Sequence, residues 1–243
     1  MSSENWLSRT ELLIGKEGLE RLRNSRVLIV GLGAVGSYAA EMICRSGVGN
    51  ITIADGDTVH ITNRNRQLEA LKSTEGMSKA GLIAERLKDI NPDLKLNVIN
   101  EFLRDERIGE VLANGFDYVV DAIDTLSPKV FLLYEAVSKK YPVVSSMGAG
   151  GRVDPSRISI SDLSQTTCCP LARLIRKKLH RLGITEGVTA VYSPEIVDKN
   201  KVIPVKEEQN KASIVGTICY MPAAFGIACA SVVIRDLAGI PRF

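Results

Sequence analysis

The sequence predicts an α/β protein with a Rossmann-like, doubly wound, mostly parallel sheet and antiparallel additions in its C-terminal third. Short runs rich in valine and isoleucine alternate with helix-length segments whose apolar residues recur about every 3.6 positions. That alternation is typical of a sheet covered by helices on both faces. The 243 residues suit one large domain over residues 1–243. We expect residues 1–150 to be the nucleotide-binding half and residues 151–243 to bind substrate and form a dimer.

The first half alternates regularly between the two kinds of segment. The expected strands are 26–31, 50–55, 95–99, 117–121 and 142–147. The expected helices between them are 36–45, 78–90, 105–112 and 128–140. Because a helix crosses from each strand to the next, these strands are expected to run parallel.

The pattern changes after residue 151. Segments 157–161 and 188–193 alternate apolar and polar residues with a period of two, which predicts antiparallel strands at the sheet edge. Segment 170–182 is predicted to be a helix, with Pro170 in its first turn and Gly183 after its end. The charged segment 196–211 is expected to be mobile.

An uncharged segment, 212–234, has the length of a membrane span. Pro222 favours a helix that begins there, because proline suits the first turn of a helix. Such a helix reaches Arg235 before it could cross the ~30 Å hydrocarbon layer. We therefore expect a buried core helix and no stable membrane insertion.

Composition excludes several classes of protein. Hydrophobic residues at 45% and charged residues at 24% exclude a disordered or fibrous chain. The net charge of +3 is too small for a general polycation, so a nucleic-acid-binding surface must be local. The five cysteines form no C-x-x-C pair, which predicts neither a zinc site nor a disulfide framework. With no apolar signal segment at the N-terminus, we expect a cytoplasmic protein.

A glycine-rich turn follows the first strand, with Gly31, Gly33, Ala34 and Gly36 in the pattern G-x-G-x-x-G. Its glycines let the backbone approach a phosphate, and the helix that follows favours negative charge at its N-terminus. Asp55 ends the second strand, where a carboxylate can accept hydrogen bonds from ribose hydroxyls. These features alone also fit a nicotinamide-dependent oxidoreductase or a nucleotide-sensing module.

Side chains beyond Asp55 favour a triphosphate over a dinucleotide. Arg66 and Lys79 offer cations, and Asp124 follows the fourth strand at the same sheet edge. A triphosphate with a leaving pyrophosphate needs such cations and a carboxylate that can hold Mg²⁺. We therefore expect ATP and Mg²⁺ as cofactors. Besides the glycine-rich turn, the expected cofactor-binding residues are Asp55, Asp57, Asn63, Arg66, Lys79, Asp124 and Thr125.

The order of these motifs resembles the ubiquitin-activating-type adenylyltransferase superfamily: G-x-G-x-x-G, D-x-D-x-V-x-x-x-N-x-x-R-Q, a lysine and D-x-x-D. In that superfamily ATP and Mg²⁺ adenylate a carboxylate. The resemblance implies that Asp55 holds the ribose and that Asp124 lies near Mg²⁺. It also implies a homodimer, in which an N-terminal arginine reaches the partner subunit's ATP site. The catalytic residues implied are Arg9, Asn63, Arg66, Lys79 and Asp124.

The second half is similar to one branch of that superfamily, the tRNA threonylcarbamoyladenosine dehydratases. The similarity includes Gly151-Arg152-Val-Asp154-Pro, Cys168-Cys169-Pro and the alanine-rich C-terminal segment. It implies an ATP-dependent dehydratase that adenylates the carboxylate of threonylcarbamoyladenosine in tRNA and promotes its cyclisation, releasing AMP and pyrophosphate. The alternative is an enzyme that activates the C-terminus of a ubiquitin-like sulfur-carrier protein. A sulfur-transfer or redox accessory protein is a further partner that the similarity allows.

Segment 170–182 supplies the local cationic surface that a tRNA partner needs. Its leucines and isoleucine share one face, and the other face carries five cations with no acidic residue among them. We expect these cations to contact the phosphate backbone; a solvated amphipathic helix is the alternative. The residues are Arg173, Arg176, Lys177, Lys178 and Arg181. Cys168 and Cys169 are interpreted as structural thiols, with a catalytic role as the alternative, and Cys219 as a buried apolar residue.

Overall fold

The computed structural model describes residues 5–204 and 213–241. The chain begins with helix α1 (Ser8–Asn24) and then alternates strands and helices. The elements of the first half are β1 (Arg26–Val30), α2 (Gly36–Arg45), β2 (Asn50–Ala54), α3 (Lys79–Ile90), β3 (Lys95–Ile99), α4 (Asp105–Leu112), β4 (Tyr118–Asp121), α5 (Leu126–Ser138) and β5 (Val143–Ser146). The elements of the second half are β6 (Ser159–Asp162), α6 (Pro170–Arg181), β7 (Thr189–Tyr192), β8 (Val202–Pro204), β9 (Ser213–Val215) and α7 (Tyr220–Ala238).

Within the described residues, seven strands form one sheet in the order β3-β2-β1-β4-β5-β7-β6. Strands β1 to β5 pair in parallel, which confirms the predicted doubly wound α/β fold. The order reverses between β1 and β4, because β2 and β3 lie on one side of β1 while β4 and β5 lie on the other. Ligands of such sheets bind at the carboxyl ends of the strands next to this switch point.

The two segments predicted as antiparallel additions form one antiparallel pair, β6 and β7, at the edge of the sheet, which confirms that prediction. The sequence did not predict that β7 would run parallel to β5 on its other side. A period of two shows which face is buried and not the direction of the strand. Strands β8 and β9 form a separate antiparallel pair. Residues 205–211 of the segment expected to be mobile lie outside the described residues, and its earlier part includes β8.

The two faces of the sheet bury separate apolar clusters. Along β1, Val27 and Ile29 pack with α2, α3 and α7, whereas Leu28 and Val30 pack with α4, α5 and α6. This alternation follows from the period of two in a strand. Burial on both faces explains why the central strands are continuous apolar runs.

Two helices begin earlier than the sequence predicts. Helix α5 starts at Leu126, not at Pro128, and α7 starts at Tyr220, not at Pro222. In each case the proline is the third helical residue. The first turn of a helix has N–H groups without intrahelical acceptors, so a proline anywhere in that turn removes no hydrogen bond.

Among the described residues, α7 is the one helix that is long and apolar enough to cross a membrane, judged by length and composition alone. It packs against α1, α2 and the sheet. Its side chains at Met221, Phe225, Cys229 and Val233 are completely buried in the core. At Gly226, a Cβ atom would lie 2.9 Å from that of Tyr38 in α2, so the small residue permits close packing of the two helices.

Candidate nucleotide site

Three strand ends lie side by side at the switch point of the sheet. Val30 of β1 pairs with Ala54 of β2 on one side and with Asp121 of β4 on the other. The residues that follow these three positions therefore leave the sheet at one edge. The glycine-rich turn follows β1 and Asp55 follows β2, so both begin at this common edge.

The backbone of the glycine-rich turn leaves no room for a side chain at Gly31 or Gly36. Gly31 has a φ of 89°, and a Cβ atom there would lie 2.7 Å from the carbonyl oxygen of Ala122. At Gly36 a Cβ atom would overlap the carbonyl oxygen of Gly31. The turn leads directly into α2, whose N-terminal N–H groups are suited to bind an anion. Gly33 and Ala34 lie between these two glycines in the turn.

Asp55 is held against the glycine-rich turn by backbone N–H groups. Its Oδ2 atom accepts a hydrogen bond from the N–H of Leu32 at 2.6 Å. Its Oδ1 atom accepts one from the N–H of Asp57 at 2.8 Å. A carboxylate fixed beside the turn in this way is where a ribose would be recognised.

Lys79 lies at the same edge, nearly buried, with a relative exposure of 4%. Its ammonium donates to Oδ2 of Asp57 at 2.5 Å, and its N–H donates to the carbonyl of Asp57 at 3.1 Å. These contacts hold the first residue of α3 beside the end of β2. A poorly solvated ammonium is a strong donor to a phosphate, so Lys79 is the principal cation that the structure brings to the turn.

Asn63 and Arg66 lie on the connection between β2 and α3. Asn63 is buried, and its Oδ1 atom accepts from the N–H of His60 at 3.0 Å. Arg66 is half-buried, and its Nη1 donates to the carbonyl of Thr62 and to Oδ1 of Asn65, both at 2.8 Å. The guanidinium is thus anchored locally, with its remaining N–H groups available to a ligand.

Asp124 is exposed on the loop after β4, and Thr125 is the residue before α5. The first aspartate of the D-x-x-D motif has a different place. Asp121 is fully buried and forms an ion pair of 2.7 Å with Lys129. Ser145 donates to Asp121 at 2.6 Å, and Lys129 also donates to the carbonyl of Ile123 at 3.0 Å. This buried network fixes the loop that carries Asp124.

Sequence reasoning did not predict that two further ionisable residues, Glu69 and Arg152, are buried. Glu69 is 5% exposed, and burial raises its pKa to about 7. Arg152 is also buried and donates to the carbonyl oxygens of Gly148, Gly150 and Ser193. Both occur in segments without regular periodicity, where a single sequence gives no sign of burial.

Arg9 is exposed on the outer surface of α1. Next to it, Leu12 and Leu13 are exposed by 88% and 85%. Two such residues, one turn away from Arg9, form an apolar surface of the kind that subunits bury.

Helix α6 is amphipathic as predicted, with Ala172, Ile175 and Leu179 buried. Leu174 and Leu182, which were expected on the apolar face, are instead exposed by 46% and 50%. An open depression of about 440 Å³ on the outside of the helix is lined by Arg173, Arg176, Lys177, His180 and Arg181. Lys178 is also exposed.

One cation of this set is engaged within the protein. Arg176 is half-buried, and its Nη1 donates to the carbonyl oxygens of Leu163 and Thr166 and to the hydroxyl of Thr166. Arg176 thus fixes the turn before α6, which leaves Arg173, Lys177, Lys178 and Arg181 as the outward cations of the helix.

The cysteines are separate thiols. Cys44, Cys169 and Cys229 are buried, whereas Cys168 and Cys219 are exposed. The expectation that Cys219 is buried was wrong, because it precedes the first turn of α7 and lies outside the buried stripe of that helix. Among the described residues, no group of three or more histidine, cysteine or acidic side chains could hold a metal ion.

Comparisons with known proteins show the family of the chain. The model of the ThiF family matches residues 7–243. A tRNA threonylcarbamoyladenosine dehydratase from Bacillus subtilis is 47% identical over 188 residues, covering 77% of this chain and 74% of the relative.

Solved structures extend the similarity to the whole fold. The Escherichia coli tRNA N6-threonylcarbamoyladenosine dehydratase in complex with ATP aligns with a TM-score of 0.88 and 32% identity, over 98% of this chain and 97% of that one. The same protein in complex with AMP aligns with a TM-score of 0.86 and 33% identity, over the same shares of 98% and 97%. The chain belongs to the ThiF family, and within it to the tRNA threonylcarbamoyladenosine dehydratases.

Proposed function

We propose that this protein is an ATP-dependent enzyme that adenylates the carboxylate of threonylcarbamoyladenosine in tRNA and promotes its cyclisation. The observation that carries the proposal is the position of Lys79. Its nearly buried ammonium lies at the sheet edge where the glycine-rich turn and Asp55 meet. A dinucleotide bound through backbone N–H groups does not need a cation there, whereas a triphosphate does. The ATP-bound and AMP-bound relatives support the same choice.

Each residue of the site has a role in this proposal. Asp55 accepts hydrogen bonds from the ribose, and the glycine-rich turn binds the phosphates. Asn63, Arg66 and Lys79 stabilise negative charge as it moves to the departing pyrophosphate. Asp57 keeps Lys79 in position through their 2.5 Å ion pair.

Asp124 and Thr125 complete the site on the β4 side. Mg²⁺ prefers one or two carboxylates together with substrate phosphates, and Asp124 offers an exposed carboxylate of that type. Bound there, Mg²⁺ would neutralise phosphate charge. The buried ion pair between Asp121 and Lys129 would keep the loop that carries Asp124 in place.

The chemistry then needs few groups from the protein. An oxygen of the ionised substrate carboxylate attacks the α-phosphorus of ATP, and pyrophosphate leaves. The carbamoyl oxygen then attacks the activated carbonyl carbon, the bond from that carbon to the oxygen of AMP breaks, and the oxazolone ring closes as a carbamoyl N–H proton passes to solvent. Because an ionised carboxylate needs no deprotonation before it attacks ATP, the adenylation step requires neither a histidine nor a cysteine.

The tRNA is proposed to bind along α6. Four of its cations, Arg173, Lys177, Lys178 and Arg181, face outward without an acidic residue on the same helix. Such a surface neutralises backbone phosphates and releases their counterions. The second half of the chain, 151–243, is thus proposed to hold the substrate, and the first half, 1–150, the nucleotide.

The active unit is proposed to be a homodimer in the cytoplasm. Leu12 and Leu13 form an apolar surface that a second copy would bury, and Arg9 lies beside them. From that position an arginine can enter the partner's nucleotide site and add positive charge at the phosphates.

Pyrophosphate exchange tests the proposal. Protein is incubated with ATP, Mg²⁺ and labelled pyrophosphate, alone, with tRNA carrying threonylcarbamoyladenosine, or with a small carrier protein ending in Gly-Gly. Label is expected in ATP when the tRNA is present. If the exchange rate does not change with tRNA and rises with the carrier protein, the protein would instead be assigned to sulfur-carrier activation.

A further inference from the structure

Glu69 is a buried carboxyl group that the proposed chemistry does not use. It lies on the connection between Arg66 and α3, with a relative exposure of 5%. Neither of its carboxyl oxygens has a hydrogen-bond partner in the described part of the chain. The neighbouring Ser37 hydroxyl donates instead to the carbonyl of Gly33 at 2.8 Å. Its backbone is fixed, because Thr74 donates to the carbonyl of Glu69 at 2.7 Å.

Charged and titratable groups of three elements face this carboxyl group. Lys79 at the start of α3 attracts the ionised form, whereas Asp55 at the end of β2 repels it. Burial raises the pKa of the Tyr38 hydroxyl in α2, and Glu69 lies close enough to raise it further. Lys79 already has Asp57 at 2.5 Å, so a single ammonium is shared among several carboxyl groups.

Among Asp55, Asp57 and Glu69, the carboxyl group that takes up a proton most readily is the one whose ionised form is least stabilised by water and by hydrogen-bond or ion-pair partners. Asp55 accepts two backbone hydrogen bonds, and Asp57 is half-exposed and paired with Lys79. Glu69 is 5% exposed and forms no ion pair within 4 Å in the described part of the chain. Burial is the largest influence and raises its pKa to about 7; its own backbone N–H, Lys79 and the nearby Ser37 hydroxyl lower it, and Asp55 raises it.

We propose that Glu69 is a positioning residue of the nucleotide site and that it takes up a proton when nucleotide binds. The inference rests on the proposed binding of ATP. A triphosphate brings several negative charges to the N-terminus of α2 and to Lys79. An ionised Glu69 in the same poorly solvated region repels those charges and competes for Lys79. The neutral acid removes both effects and leaves the ammonium to the phosphates.

Calorimetry of the full-length protein with ATP and excess Mg²⁺ measures this proton directly. Titrations at pH 7.5 in two buffers of different ionisation enthalpy give the number of protons bound per nucleotide. We expect net uptake by the wild type, and a Kd that rises by up to about tenfold per pH unit above pH 7. The Glu69→Gln variant should take up fewer protons and bind with a flatter pH profile, and the nucleotide's own titration is the same for both proteins.

Two further variants make the test specific. Glu75→Gln removes an exposed carboxylate six residues along the same segment and should behave as the wild type. Glu69→Met removes the titratable group and introduces no buried amide. It replaces Glu69→Gln in the test if that variant does not fold. Equal proton uptake and equal pH profiles in wild type and Glu69 variants would overturn the inference while ATP binding stands. Absence of ATP binding in all of them would overturn the proposed function, and the inference with it.

Discussion

At the scale of single residues, the nucleotide site depends on a few charges held in place by neighbours. Lys79 is oriented by Asp57, and Asp124 stands on a loop fixed by the buried pair of Asp121 and Lys129. A buried pair of this kind is costly to break, because removal of one member leaves an unpaired charge in the core. On the β4 side, the exposed Asp124 is thus supported by charges inside the core.

Lys79→Ala should reduce AMP formation by at least about 100-fold, because it removes the main cation from the pyrophosphate leaving group. Asp124→Ala should have a comparable effect through the loss of the proposed Mg²⁺ ligand. Both are measured as release of labelled AMP from ATP in the presence of substrate tRNA. Lys72→Ala, which removes an exposed lysine on the connection before α3, is the control and should be unaffected. Near-normal turnover in Lys79→Ala or Asp124→Ala would remove that residue from the site.

The raised pKa of Glu69 also predicts how stability depends on pH. Its pKa is about 7 in the folded chain against an ordinary value of 4.5. Between these values the folded chain binds a proton that the unfolded chain releases, so the free energy of unfolding decreases as pH rises through this window. Urea unfolding at pH 5 and pH 8 should show a decrease for wild type that exceeds the decrease for Glu69→Gln by roughly 3 kcal/mol. Parallel pH profiles for the two proteins would contradict the burial of this carboxyl group.

The sequence could not reveal Glu69 or Lys129, and the reason is physical. Both are ionisable residues, which are rarely buried, and neither belongs to a motif that marks its position. Their burial depends on how the connection before α3 folds over the turn and how α5 packs on β4. Asp55, Lys79 and the glycine-rich turn could be predicted, because the spacing of strands and helices alone brings them to one edge of the sheet.

At the scale of elements, the parallel strands were predicted to within a residue or two, because short runs rich in valine and isoleucine have sharp ends. Four of these strands, β1, β2, β4 and β5, are buried almost throughout, whereas β3 at the sheet edge is mostly exposed. The first residues of α5 and α7 were not predicted correctly, because a proline is tolerated at several positions in the first turn of a helix. The direction of β7 could not be predicted either. It depends on the path of α6 and its flanking turns, which carry the chain back so that β7 can run parallel to β5.

Helix α6 is the element expected to determine tRNA affinity. Replacing Lys177 and Arg181 together with alanine should weaken tRNA binding by about tenfold or more and make log Kd less dependent on salt, because two phosphate contacts are lost. Filter binding at several salt concentrations measures both quantities. The matched control is a double replacement of Lys95 and Lys140, two exposed lysines on other elements. Equal losses in both double variants would show that α6 has no special role.

Arg176 is excluded from that double variant because it stabilises the fold. Its three hydrogen bonds hold the turn before α6, so Arg176→Ala would disturb the helix as well as remove a charge. The comparison between the variants therefore separates contact with tRNA from loss of structure.

At the scale of the whole molecule, the proposed role of Arg9 requires two chains to associate, because Arg9 would act in the partner's nucleotide site. We expect Arg9→Ala and Lys79→Ala to be inactive separately and to recover part of the activity when they are mixed after partial unfolding and refolding. A mixed dimer then contains one site with both Lys79 and a partner arginine. Each variant refolded alone is the control, and a mixture no more active than its components would show that Arg9 does not act across subunits.

The central claim is that the carboxylate activated at this sheet edge belongs to a modified tRNA. Protein is incubated with ATP, Mg²⁺ and tRNA carrying threonylcarbamoyladenosine; AMP is counted and the tRNA nucleosides are weighed by mass spectrometry. We expect one AMP for each modified nucleoside that becomes lighter by one water, and no product with tRNA that lacks the modification. AMP release without any change in nucleoside mass would contradict it.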